Sequence, residues 1–457
     1  MSDKQSRTKY HITTYGCQMN VSDSRRLAIE LERLGYAPAE QAEDADVIVL
    51  NTCVVRQQPE DRAVNRLFSL RPIKEKQPEK VIGLMGCLVG VKNPTQALAR
   101  RFPFVDVFMA PSDPKPLLNL LLERDGRATS EAQRSRQDAV QDGGFILPVR
   151  EQGQLVAAYL PVVLGCSHAC AYCVIPHRRG PEHSRPSAEI TAEAKALAAQ
   201  GVKEITLLGQ IVDRYGLDLP HEEIDLAGLL RLLHPIQGLE RIRFLTSHPN
   251  WITDDLLQMV AELPKICEHV EVPNQSGDDE ILRAMKRGYT AARYRDLIGR
   301  IRETIPDVSI HSDIIVGFPG ETEAHFQRTY DLMAELKLDK IHIARYSPRP
   351  GTLSARNMED DVPAAEKERR RKALDDLQAR IVGAINQQFV GQDVEVLVEE
   401  KKRGRWRGRT RGDKLVFFDD ERNLMGHLVQ VRIEWAGPWS MVGVAADRPV
   451  VFPTSAG

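Results

Sequence analysis

The chain has 457 residues, with 62 Lys and Arg against 64 Asp and Glu and a formal net charge of −2. That length implies two or three domains with ample core, and the even charge excludes a coat protein held to nucleic acid by overall basicity, so any basic surface is local. No stretch is apolar for long enough to span a bilayer, and Met1 to Tyr10 lack the apolar segment of a signal peptide. The chain therefore reads as cytoplasmic, and its seven cysteines point to metal binding rather than disulfides.

The opening third repeats one arrangement: an apolar strand, a cysteine shortly after it, then a helical pattern. Strands are expected at Tyr10 to Tyr15, Val47 to Asn51 and Val81 to Met85, leading to Cys17, Cys53 and Cys87. Helices are expected at about Ser22 to Leu34, Glu60 to Leu70 and Pro94 to Arg101. Strands alternating with helices form a parallel sheet, whose ligands sit beyond the carboxyl ends of the strands. Thiols at three such ends can converge; the competing view is that each is an inert small apolar core residue. Asn20-Val21-Ser22 matches a glycosylation sequon, but its serine reads better as part of a helix start.

From Glu123 to Gly144 the chain turns polar, with clustered Arg, Gln, Ser and Asp, which marks a linker. Strands follow near Ala158 to Leu164, Glu204 to Leu208, Ile242 to Leu245, His269 to Val272, Val308 to Val316 and Lys340 to Ala344, with helical patterns such as Ser187 to Gln200 and Tyr294 to Thr304 between them. Repeats of this kind suit an open (βα)6 barrel with its active site at the carboxyl ends of the strands.

After the first of those strands stand Cys166, Cys170 and Cys173, spaced C-x-x-x-C-x-x-C. Three thiolates at this spacing can hold a [4Fe-4S] cube and leave its fourth iron open to a substrate or cofactor. The expected guest is S-adenosylmethionine, which one electron splits into methionine and a 5'-deoxyadenosyl radical. The competing reading is a zinc knuckle with His168 or His177 as fourth ligand. Polar residues follow the other strands: Gln210, Ser247 and Gln275 offer donors and acceptors to the cofactor, and Tyr172 could lie against its adenine. Asp313 falls within the fifth strand, and Cys267 reads as core.

Val362 to Gln388 predicts a long helix, and the short β-like runs after Gly391 predict a small antiparallel barrel. Lys401 to Arg411 reads KKRGRWRGRTR. A charge run is commonly just solvated, but arginines interleaved with an aromatic ring supply phosphate contacts and a stacking face. Lys402, Arg405, Trp406, Arg407 and Arg409 are thus candidate RNA contacts.

These residues resemble the methylthiotransferases among radical S-adenosylmethionine enzymes over nearly the whole chain. Tyr15-Gly16-Cys17-Gln18-Met19-Asn20, Asn51-Thr52-Cys53 and Gly86-Cys87 look like the family's amino-terminal signatures, and Gly165-Cys166 onward like its radical motif. The closing region looks like the RNA-binding barrel called TRAM, with Gly408-Arg409-Thr410 in its expected place. Tyr346-Ser347-Pro348-Arg349-Pro350-Gly351-Thr352 and Thr246-Ser247-His248-Pro249 resemble the branch acting on tRNA, which adds Arg349 to the candidate RNA contacts.

The resemblance implies an α/β chain with an amino-terminal flavodoxin- or Rossmann-like domain at 1–125, a linker at 126–150, a radical S-adenosylmethionine barrel at 151–385 and TRAM at 386–450. It implies two [4Fe-4S] clusters, with Cys17, Cys53 and Cys87 holding the auxiliary one. It also implies an electron donor such as flavodoxin or ferredoxin, a monomer, and sulfur and methyl insertion at C2 of an isopentenylated adenosine beside the tRNA anticodon. The rival targets are threonylcarbamoyladenosine in tRNA and an aspartate of ribosomal protein S12, and a different class is an iron-sulfur RNA-binding protein without catalysis. Ile211, Glu271, Asn274 and Asp278 depart from the family pattern around the proposed mouth.

Overall fold

The computed structural model describes residues 8–55, 57–91, 95–124 and 145–446. The expected linker lies almost wholly outside them, as does Pro94.

The first sheet is parallel, in the order β2 (Ala37–Pro38), β1 (Lys9–Thr14), β3 (Val47–Thr52), β4 (Val81–Gly86), β5 (Val107–Met109). Its central strands β3 and β4 are buried along their whole length, as apolar runs covered on both faces must be. Helices α1 (Gln18–Arg33) and α4 (Lys115–Arg124) cover one face and α2 (Gln57–Lys76) and α3 (Thr95–Arg101) the other, so two apolar clusters flank the sheet. β2, β5 and α4 escaped the sequence reading, the two strands because runs this short show no clear period.

The central unit has six parallel strands in two three-stranded sheets. β6 (Ala157–Pro161), β9 (Glu204–Leu208) and β10 (Arg241–Phe244) form one, and β11 (His269–Glu271), β12 (Ser309–Val316) and β13 (Lys340–Arg345) the other. They meet where Ser247 N–H donates to the Glu271 carbonyl at 3.0 Å, which makes a partial barrel. The expected strand from Ala158 to Leu164 breaks after Pro161, and β7 (Val163–Leu164) turns aside to pair with β8 (His183–Ser184). The cysteine loop leaves from β7, and Gly165 permits its exit: φ is +69°, and a Cβ there would meet the Pro181 carbonyl oxygen at 2.0 Å.

A 24-residue helix, Ala364–Gln387, leads to a closed five-stranded barrel: β14 (Asp393–Lys402), β15 (Arg405–Arg409), β16 (Leu415–Asp419), β18 (Met441–Ala445), β17 (Leu428–Ala436). One pair, β16 with β18, is parallel, a departure from the antiparallel expectation. An odd ring cannot alternate direction all the way round, so closure with five strands requires such a pair.

This barrel docks on the amino ends of the central strands. Arg243 is buried, donates to Glu204 at 2.8 Å, and also donates to the Thr410 and Arg411 carbonyls. Arg411 reaches back to Glu268 at 2.7 Å, and Asp413 lies beside His269 and His311, whose facing ring nitrogens are 2.9 Å apart. Replacing Arg243 with leucine strands the Glu204 carboxylate and removes the bonds to the barrel loop. The expected loss is about 3–5 kcal/mol in chemical denaturation, with earlier release of the terminal barrel in limited proteolysis; an unchanged midpoint would show that Arg243 is not the anchor.

Candidate cluster and cofactor sites

Cys17, Cys53 and Cys87 follow β1, β3 and β4, and their thiols lie within hydrogen-bonding reach, Cys53 between the other two. Gly86 has φ +98°, and a Cβ there would sit 2.5 Å from Asn51 Oδ1 and the Thr52 carbonyl, so glycine lets the chain turn Cys87 toward its partners. Asn20 fastens the start of α1 to β3: its amide donates to Asn51 Oδ1 and the Thr52 carbonyl, both at 2.9 Å. Hydrogen bonding from Cys53 holds the Cys17 thiol down to about 6 and Cys87 to about 7, with Arg179 adding to both, while Cys53 is pushed up.

Arg179 comes from the other unit, six residues past Cys173. Its guanidinium, almost fully buried, donates to Asp23 at 3.2 Å and sits against the Cys87 thiol. Nothing in the sequence pattern marked it, because an arginine in a loop is ordinarily solvated.

The second triad follows the same logic. The loop is pinned by backbone bonds from Cys166 N–H to the Gly180 carbonyl, 3.1 Å, and from Ala171 N–H to the Met285 carbonyl, 3.0 Å. Arg287, 5% exposed, donates to Cys170 Sγ at 3.2 Å, to the Pro273 carbonyl at 3.1 Å and to the Tyr289 hydroxyl at 3.1 Å. Burial pushes Cys170 up, but the His168 hydrogen bond and Arg287 outweigh it and bring it to about 7. Burial raises Cys166 to about 11 and Cys173 to about 12, so this loop needs a metal to ionise all three thiols.

Around this triad lie buried polar atoms that, among the described residues, have no partner: Ser247 Oγ, both side-chain atoms of Asn274, His248 Nε2 and Asp213 Oδ1. A row of unsatisfied donors and acceptors beyond the strand ends is the expected lining of a polar ligand site. Gln210 is half-buried nearby in the chain, and Gln275, at φ +78°, bridges β12 through backbone bonds with Asp313 and Ile315. Tyr172 packs edge-on against Phe318 at 6.5 Å, and Glu271 is pushed up to about 7 by burial. Asp278 caps helix Asp279–Ala284, accepting from the Glu280 and Ile281 N–H groups.

Comparison with known proteins places the chain. Residues 9–110 match the model described as uncharacterized protein family UPF0004, residues 160–333 the Radical SAM superfamily, and residues 387–445 the TRAM domain. The tRNA-2-methylthio-N(6)-dimethylallyladenosine synthase of Roseiflexus sp. (strain RS-1) is 48% identical over 449 residues, 97% of this chain and 91% of that protein. The synthase of Herpetosiphon aurantiacus is 47% identical, covering 96% of this chain and 97% of its own. The chain belongs to this synthase family. Its cofactors are accordingly [4Fe-4S] clusters and S-adenosylmethionine. Among solved structures, the radical S-adenosylmethionine methyltransferase TsrM from Kitasatospora setae shares the fold, with a TM-score of 0.53 at 16% identity over 76% of this chain and 77% of that one.

The arginine run is placed differently from the sequence reading. Trp406 is 5% exposed, packs with Val396, Val416 and Phe418 inside the terminal barrel, and donates its indole N–H to the Asp420 and Arg422 carbonyls. Strand alternation turns it inward, so it offers no stacking face. Arg349 is also buried, paired with Glu60 of the amino-terminal unit at 2.9 Å, and thus joins two units rather than facing solvent. Arg407 and Arg409 are half-buried, Arg407 between Glu399 and Glu400 and Arg409 between Glu399 and Asp413, whereas Arg405 is exposed beside Asp419 and Lys402 is exposed.

Asp213 tests the polarity of the pocket. It accepts from His248 N–H at 3.0 Å, and burial raises it from 3.8 to about 7. The folded state therefore holds a proton that the unfolded chain has released, and the carboxyl's contribution to stability falls as pH rises through this window and is lowest above it. Asp213→Asn keeps the acceptor and removes the charge. Thermal unfolding should show a gain at pH 8 that shrinks at pH 5, with about 2–4 °C for each kcal/mol recovered; a gain equal at both pH values would refute the buried ionisation.

Proposed function

We propose that this chain is a tRNA methylthiotransferase that places sulfur and a methyl group at C2 of N6-isopentenyladenosine beside the anticodon. The observation that carries the reading is the pair of convergent cysteine triads, each met by a buried arginine, in a chain 48% identical to a synthase of that name. In this reading Cys166, Cys170 and Cys173 hold one [4Fe-4S] cluster, and Cys17, Cys53 and Cys87 hold the auxiliary one. The donor sets fit: each has three soft thiolate ligands and a protein-supplied cation to offset their charge. Bound at Cys166, Cys170 and Cys173, a cluster with an open iron would supply the electron that cleaves S-adenosylmethionine.

The chain's own part is positioning. Arg287 holds positive charge at Cys170, and the unpartnered Ser247 and Asn274 atoms, with Gln210 and Gln275, line the place for the cofactor's polar groups. Tyr172 stands at the same loop. A C–H on an aromatic ring has no acidity for a histidine or carboxylate to use, which accounts for clusters in place of an acid/base pair. The electron must come from a small donor such as a flavodoxin or ferredoxin. The protein acts as a monomer in the cytoplasm, where tRNA is met; among the described residues no helix is long and apolar enough to cross a membrane.

Anaerobic incubation of the reconstituted, reduced protein with S-adenosylmethionine and isopentenyladenosine-containing tRNA should add one methylthio group to that nucleoside by mass spectrometry. Cofactor cleavage without that product would redirect the search to threonylcarbamoyladenosine or S12. Changing Cys17, Cys53 and Cys87 together to alanine should remove about half of the iron while sparing cofactor cleavage. Full iron retention would refute two separate clusters.

A further inference from the structure

We propose that the outer face of the terminal barrel, across β15, β16, β18 and β17, is a stacking platform for unpaired nucleotides of the tRNA substrate, with Trp435 as its principal ring. The inference rests on the tRNA reading above and goes beyond it by assigning the contact surface.

The arginine run lost its apparent aromatic partner when Trp406 proved to be core. Strand register supplies others. Arg407 lies opposite Phe417, Phe417 opposite Val442, and Val442 opposite Trp435, so one outward row crosses four strands from a guanidinium to an indole. Successive strands lie about 4.8 Å apart, which makes the row roughly 14 Å long. The next row places Asp419 beside Val444 and Val444 beside Arg432, with Arg405 bonded to Asp419.

The apolar end of this face is open. The chain has four tryptophans, and the two most exposed are both here: Trp435 at 55% and Trp439, in the turn after β17, at 63%. Val444, between Asp419 and Arg432 in the adjacent row, is 51% exposed. Trp435 lies over Gly437, where a Cβ would come within 2.5 Å of the ring, so the indole is held in place without being covered. Asn386 holds the turn by donating to the Gly437 carbonyl at 2.9 Å.

Charge selects the occupant. Two arginines of the face are held by carboxylates that are themselves exposed, Asp419 at 69% beside Arg405 and Asp393 at 59% beside Arg432, and half-buried Arg407 is held by Glu400 at 2.8 Å, with the more buried Glu399 at 3.8 Å. Exposed pairs contribute little and exchange readily for a phosphate. Lys402 and Arg403, at the turn entering β15, are exposed and form no ion pair among the described residues. Rings flanked by exchangeable cations suit a strand of bases on a phosphate backbone, since every base has a face to stack and every linkage a charge.

The test is binding of isopentenyladenosine-containing tRNA to the full chain over a range of salt. Trp435→Ala should weaken binding roughly tenfold with the salt slope unchanged, while Trp435→Phe retains most of the affinity. Arg407→Gln should lower the slope by about 1. Cofactor cleavage without tRNA should be untouched in all three. Wild-type affinity in Trp435→Ala overturns the platform while leaving the tRNA reading intact; failure of the unmodified chain to bind tRNA overturns both. A loss of self-association in sedimentation, with tRNA affinity retained, would assign the face to a second copy and overturn the proposal.

Discussion

A thiolate taken out of water needs a cation close by, and both cysteine triads meet that need with a single buried arginine delivered from elsewhere in the fold. Arg179 serves Cys17 and Cys87 across the boundary between units, and Arg287 serves Cys170 from the far side of the barrel mouth. An isolated guanidinium at such depth would be prohibitive, so each is bound into neighbours: Arg179 to Asp23 and Asn20, Arg287 to Pro273 and Tyr289. These bonds fix the loops that carry the cysteines to the scaffold.

The same device joins the three parts of the chain. Arg25 pairs with Glu151 and Arg26 with Glu193, tying α1 to the segment before β6 and to the helix Ser187–Ala199. Arg349 meets Glu60, and Arg243 meets Glu204 while bonding the terminal barrel. These contacts are directional and partly desolvated, so they set relative placement where an apolar interface would permit sliding. Arginine suits the task because one planar group can bond several carbonyls and carboxylates together. The near-neutral net charge is consistent with a chain whose cations are heavily committed to internal pairs.

Much of this was legible in the sequence. The strand and helix periods, the order of the layers and the cysteines at strand ends follow from local residue patterns, and the long helix Ala364–Gln387 begins and ends close to its predicted bounds. The misplaced residues share one cause. Charge-rich surroundings place Trp406 in solvent and a motif resemblance places Arg349 there, and neither signal sees the fold: period-two alternation turns one into the barrel and a partner nearly three hundred positions earlier draws in the other. Composition of a segment does not reveal which side of a strand each residue occupies.

The amino-acid sequence by itself determined the chemistry available: six cysteines in two sets of three, their spacing, and the alternating elements that carry them. Those are local properties, written in the neighbours of each residue. Only the tertiary structure decided that the first three thiols meet, that Arg179 and Arg287 attend the two triads, and that the terminal barrel shows Trp435 rather than Trp406 to solvent. Each of those depends on burial and on contacts between distant segments, and such contacts exist only once the chain has closed upon itself.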